Sequence, residues 1–132
     1  MNTTSSKKEP VLLYQQHGPV AWLILNRPNA MNAISMEMMG LYKNYLSEIS
    51  NNDEIRVLVI SGNGSAFCAG ADLKEVLASK NVAPGESDFL DRINSDMFDI
   101  TRGFHKPVIA ALNGITMAGG LELAMCADIV TA

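Results

Sequence analysis

The chain has 132 residues, the size of one ordinary domain, with 48% apolar and 18% charged residues, a folded rather than disordered profile. Ten Lys and Arg against 14 Asp and Glu give a net charge of −4, so there is no basic footprint for nucleic acid. Two cysteines and two isolated histidines offer neither a disulfide framework nor a metal-ligand spacing, and no apolar run is long enough to span a bilayer.

The polar opening, MNTTSSKKEP, lacks the apolar stretch of a secretory signal. It reads as a flexible tail over residues 1–10 of an intracellular, cytoplasmic protein. Residues 11–16 and 20–26 flank His17-Gly18-Pro19, a turn signal, and predict a β-hairpin. Its second arm, VAWLIL, reads as a strand covered on both faces. Ser35 is placed to cap a helix over residues 36–50, with Met38, Leu41, Tyr42, Tyr45, Leu46 and Ile49 on one apolar stripe.

RVLVIS at 56–61 is a further buried strand, followed by Gly62-Asn63-Gly64. A short helix is predicted from about Leu73 and a linker over 79–85. A second long helix starts at Ser87, with Leu90, Ile93, Met97, Ile100 and Phe104 buried and Lys106-Pro107 stopping it. VIAALN at 108–113 is another buried strand, a helix runs from Ala118-Gly119-Gly120 to about Ala127, and 129–131 begins one more strand. This alternation defines an α/β class with mostly parallel pairing, without a fixed-period repeat. The pattern reads as interrupted, not finished, at Ala132.

Two small-residue segments each follow a buried strand: Ala69-Gly70-Ala71 and Ala118-Gly119-Gly120. Small residues let a ligand approach the backbone, and a helix start leaves N–H groups without intrahelical partners. Two such groups facing each other would polarise a carbonyl oxygen and stabilise an enolate; the alternative is that these glycines only permit tight helix–strand packing. Glu122, three residues past Gly119 and set among Leu121, Leu123, Ala124 and Met125, is expected to be partly desolvated, a state suited to acid–base work. Its alternative role is to stabilise the helix N-terminus.

VAWLILNRPNAMNAIS, VLVISGNGSAFCAGADLKE and KPVIAALNGITMAGGLELAMCADIV together resemble the enoyl-CoA hydratase/isomerase (crotonase) family, over about residues 20–132. The resemblance implies a crotonase-like superhelix of ββα units over residues 11–132, incomplete before the family's C-terminal helical region. It implies an acyl-CoA thioester substrate, no separate cofactor, and no nucleic-acid or membrane partner. The backbone N–H groups of Ala71 and Gly119 would form an oxyanion hole. Ala71, Asp72, Leu73, Lys74 and Gly119 would line the acyl-CoA site. Glu122 falls on the first catalytic glutamate, which activates water for addition to a trans-2-enoyl-CoA. The family's second glutamate lies beyond Ala132, so this polypeptide alone is expected to be weakly active or inactive. Homotrimers or hexamers are expected of a complete member. Isomerase, decarboxylase or thioester-hydrolase chemistry on the same hole, or a non-catalytic CoA-binding fragment, are the alternatives.

Lys74 is the best candidate for CoA phosphates, balanced against a solvated helix lysine, whereas Arg27 and Lys106 read as surface charges. Asp72 reads first as a cap for the helix after it. Cys68 and Cys126 read as small buried thiols, and Met31, Met36, Met38 and Met39 as core filler. The stretch from Gly62 to Phe67 lacks the third glycine of a dinucleotide fingerprint, and no GxSxG elbow occurs.

Overall fold

β1 (Leu12–His17) and β2 (Val20–Leu25) form the expected antiparallel hairpin. The computed structural model describes residues 9–80 and 82–132; of the expected tail, residues 1–8 lie outside the described residues, and Glu9 and Pro10 are exposed. Ala21, Leu23 and Leu25 of β2 are fully buried, while Val20, Trp22 and Ile24 are half-buried. The strand therefore has one core face, not two. Successive side chains point to opposite sides of a sheet, and the buried set joins the cluster that includes Met38, Tyr42 and Leu46 of α1 (Met36–Ser50).

β3 (Val57–Gly62), β5 (Val108–Ala111) and β7 (Ile129–Thr131) extend this sheet in the order β1-β2-β3-β5-β7, and every pairing after the hairpin is parallel. A second sheet pairs β4 (Ala66–Cys68) with β6 (Ile115–Thr116), also parallel. The chain thus repeats a unit of a strand in the large sheet, a strand in the small sheet, and a helix. β3-β4 leads to α2 (Leu73–Ala78), and β5-β6 leads to α5 (Gly119–Met125). Because β4 and β6 run side by side in parallel, the segments leaving them emerge at the same end.

α1 has the bounds its sequence predicts. Ser35 caps it by accepting from the Met38 N–H at 3.1 Å, a contact that contributes about 1 kcal/mol. At the other end, Lys106 Nζ donates to the carbonyls of Ile49 (2.6 Å) and Asn52 (2.8 Å). Lys106 is therefore no free surface charge: it satisfies a terminal helix carbonyl left without an intrahelical donor.

The second long helix is α3 (Phe89–Ile93), a π turn (Asn94–Phe98) and α4 (Asp99–Arg102), started by a capping box between Asp88 and Asp91. It ends at Gly103, before Lys106-Pro107 is reached. The wider π turn rotates the residues beyond it: Met97, Phe98 and Thr101 are buried, whereas Ile100 and Phe104 are only partly so. The Tyr42 hydroxyl meets that of Thr101 in the core, joining α1 to α4. Leu90, expected in the core, is exposed and faces a cleft. Among the described residues no helix is long and apolar enough to cross a membrane.

Candidate active site

The segments leaving β4 and β6 form two arms. In the first, residues 69–72 lie along the loop before α1. The Ala69 N–H donates to Met31 O (3.0 Å), the Ile34 N–H to Gly70 O (2.8 Å) and the Asp72 N–H to Ile34 O (2.9 Å). In this parallel bridge between Ile34 and Ala71, the neighbours of Ala71 make the bonds, so its own N–H is turned to the opposite side. Gly70 has φ +117, and a methyl there would come within 3.2 Å of both Ala118 Cβ and Gly119 N. Only glycine accommodates that conformation without strain.

In the second arm, Met117-Ala118-Gly119-Gly120 is a tight turn closed by the Gly120 N–H on Met117 O at 2.8 Å. Ala118, at φ 48 and ψ −123, occupies the first central position of a type II′ turn, where glycine is the usual residue. Holding alanine there costs about 1–3 kcal/mol. Cys68 joins the arms. Its carbonyl accepts the Met117 N–H at 3.1 Å, and Gly120 packs so closely that a methyl on it would fall 2.0 Å from the same oxygen. A methyl on Gly119 would lie 3.6 Å from Ala71 N. Among the described residues, neither the Ala71 N–H nor the Gly119 N–H donates to a protein acceptor.

Ala71, Gly119 and Glu122 line one cleft of about 940 Å³, a volume in the range of small-molecule sites. Ile34, Val76, Ile93 and Phe98 give it an apolar wall. Asp72, Leu73 and Lys74 line it as well, with Leu73 and Lys74 exposed. The six residues singled out from the sequence are thus brought together.

Glu122 corrects one expectation. It is exposed, as are Leu121 (46%) and Met125 (73%). α5 buries only Gly120, Leu123 and Ala124, so apolar neighbours in sequence do not enclose the carboxylate. Asp72 is the cap expected of it, accepting from the N–H groups of Lys74 (2.9 Å) and Glu75 (3.3 Å). It also pairs with Arg27 at 3.0 Å. Burial alone would raise the Asp72 carboxyl, but the bonds from Arg27 and the two N–H groups outweigh it and hold the carboxyl below its ordinary value.

Arg27 is therefore more than a surface charge. It lines the cleft, binds Asp72, and donates to Ala33 O at 2.7 Å. Nothing local in the sequence announces this, because its partner Asp72 is distant along the chain. Met31 is likewise exposed at the cleft rather than in the core. Cys68 is fully buried, and burial pushes its thiol up to about 11, which keeps it protonated and unreactive. Cys126 is buried too, its Sγ 3.2 Å from Arg102.

The family model described as enoyl-CoA hydratase/isomerase matches residues 15–132. The 2,3-dehydroadipyl-CoA hydratase of Escherichia coli is 36% identical over 92% of this chain and 46% of its own length. The crotonyl-CoA hydratase of Syntrophomonas wolfei is 32% identical over 89% of this chain and 44% of its own. A solved enoyl-CoA hydratase/carnithine racemase from Magnetospirillum magneticum superposes with a TM-score of 0.83 at 33% identity, over 96% of this chain and 48% of that one. The chain spans about half the length of the relatives it matches.

Proposed function

The chain belongs to the enoyl-CoA hydratase/isomerase family with its crotonase-like fold, and from that premise we propose that its cleft binds acyl-CoA thioesters through the amides of Ala71 and Gly119. The observation that carries this reading is the pair of unpartnered N–H groups at the wall of one cleft, one from each arm. A thioester oxygen placed between them accepts two hydrogen bonds that strengthen as negative charge builds on it. Among the described residues neither amide has an intramolecular bond to surrender, so little reorganisation accompanies the reaction.

The reaction we assign is hydration. Water adds its oxygen to C3 of a trans-2-enoyl-CoA, and the C2–C3 π pair moves onto the thioester as an enolate held by the oxyanion pair. C2 then takes a proton from solvent to give a 3-hydroxyacyl-CoA, while the proton that Glu122 removes from the water returns to solvent. Glu122 accepts the proton of the attacking water. Asp72, committed to Arg27 and the start of α2, is not available for proton transfer, so Glu122 is the one cleft carboxylate among the described residues in that role. Lys74 lines the cleft and is exposed, and in this reading its ammonium meets the CoA phosphates. Coenzyme A arrives as part of the substrate, with no separate cofactor, in a cytoplasmic setting.

The test is calorimetric titration with acetoacetyl-CoA beside a hydration assay on crotonyl-CoA. Saturable binding is expected in the natural chain and in Glu122→Gln, with turnover lowered about 100-fold or more by the substitution. Absence of binding would contradict the assignment, and hydration unaffected by Glu122→Gln would remove Glu122 from it.

A further inference from the structure

Asn32 is fully buried, and it is the least exposed polar residue described. It stands with Met31 in the left-handed region, at φ 56 and 52, where the chain reverses between the 3-10 turn Pro28–Ala30 and Ile34. Asparagine tolerates that conformation better than most residues. Its side chain spans three segments. Oδ1 accepts from the Arg27 N–H at 2.7 Å, and Nδ2 donates to Asn63 O at 3.0 Å and Ala66 O at 2.8 Å. A buried amide satisfied this fully costs little to keep and much to break.

The backbone beside Asn32 is the shelf on which the first arm rests: Met31 O holds Ala69, and Ile34 holds Gly70 and Asp72. Asn32 fixes that shelf to Ala66 at the start of β4. Arg27 fixes its other end through Ala33 O and Asp72. Asn32 does not line the cleft. We propose that Asn32, seconded by Arg27, is a positioning residue for the Ala71 amide, setting where that N–H points without meeting the ligand. This rests on the reading of the two amides as a thioester site.

The test uses butyryl-CoA carrying ¹³C at the thioester carbonyl and follows the carbonyl stretch by infrared difference spectroscopy at saturating ligand. This thioester has no double bond to hydrate, so the readout is taken at equilibrium and does not depend on turnover. In the natural chain the band moves to lower frequency on binding. Asn32→Asp keeps the side-chain shape but sets a carboxyl against two carbonyls. In the folded variant, verified by thermal melting, the displacement is expected to fall to roughly half or less, because the oxyanion term depends steeply on donor placement. A merely structural role would lower the melting temperature and leave the band of the folded protein unmoved from its natural position; that result overturns the proposal. If Asn32→Asp does not fold, Arg27→Gln decides, since the Arg27 side chain is 23% exposed: a reduced displacement supports the proposal and a full one overturns it. A band that does not move in the natural chain sinks the thioester reading itself, and the positioning role with it.

Discussion

A methyl group on Gly119 would sit 3.6 Å from the amide nitrogen of Ala71 and 3.4 Å from Gly70 Cα. These are ordinary contacts, so the fold accepts the methyl, but it occupies space beside the two donors. Gly119→Ala is therefore expected to melt close to the natural chain while losing about 2.7–4 kcal/mol of transition-state stabilisation, the loss typical of one oxyanion donor. Parallel thermal melts and hydration assays check it.

Gly120→Ala has the opposite signature. Its methyl would fall 2.0 Å from Cys68 O and 2.8 Å from Cys68 Cβ, and Cys68 is itself fully buried. Relief requires α5 to move off β4, which costs about 1–3 kcal/mol as overpacking does. Urea titration should show a lowered midpoint with an unchanged slope.

Ala118 carries backbone strain at the turn that presents Gly119. Glycine accepts φ 48 and ψ −123 freely, but it also loosens the unfolded chain by about 0.4–1 kcal/mol. With about 1–3 kcal/mol of strain relieved, Ala118→Gly is expected to be neutral to modestly stabilising in denaturant titration. A marked loss of stability would show that the turn is not strained.

The Asp72 carboxyl is held below its ordinary value in the folded chain. The unfolded state therefore takes up its proton first as pH falls. The stabilisation is present in full above the ordinary value of 3.8 and disappears as pH drops through the folded one. Asp72→Asn, which keeps the cap but loses the charge opposite Arg27, is expected to cost about 0.2–1 kcal/mol at neutral pH, with the gap to the natural chain closing below about pH 4. Urea titrations at a series of pH values check it.

Local features were legible in the sequence because their causes are local. Ser35 and the three-four spacing of Met38, Tyr42, Leu46 and Ile49 define α1 to the residue, and short apolar runs define the parallel strands. The glycine-containing arms were legible as small-residue segments beside a helix start, and the packing use that the sequence left open is the one Gly120 serves against Cys68 O. What stayed hidden depends on groups far apart in sequence. Lys106 reaches the end of α1, Arg27 reaches Asp72, and Asn32 joins three segments. No periodicity encodes those contacts. Glu122 misled for a related reason: its apolar neighbours describe the helix it belongs to, whereas burial depends on what packs against each face. The π turn after Ile93 likewise leaves no mark in residue type, yet it shifts which later side chains enter the core.

The central claim is that the amides of Ala71 and Gly119 converge on one ligand oxygen. In a chain of 132 residues it is tested most directly by ¹H–¹⁵N correlation NMR during titration with acetoacetyl-CoA. Both amide protons are expected to move downfield together, with the same saturation and further than those of the surrounding loop, as new hydrogen-bond donors do. Saturable binding that leaves either amide where it stood would contradict the claim.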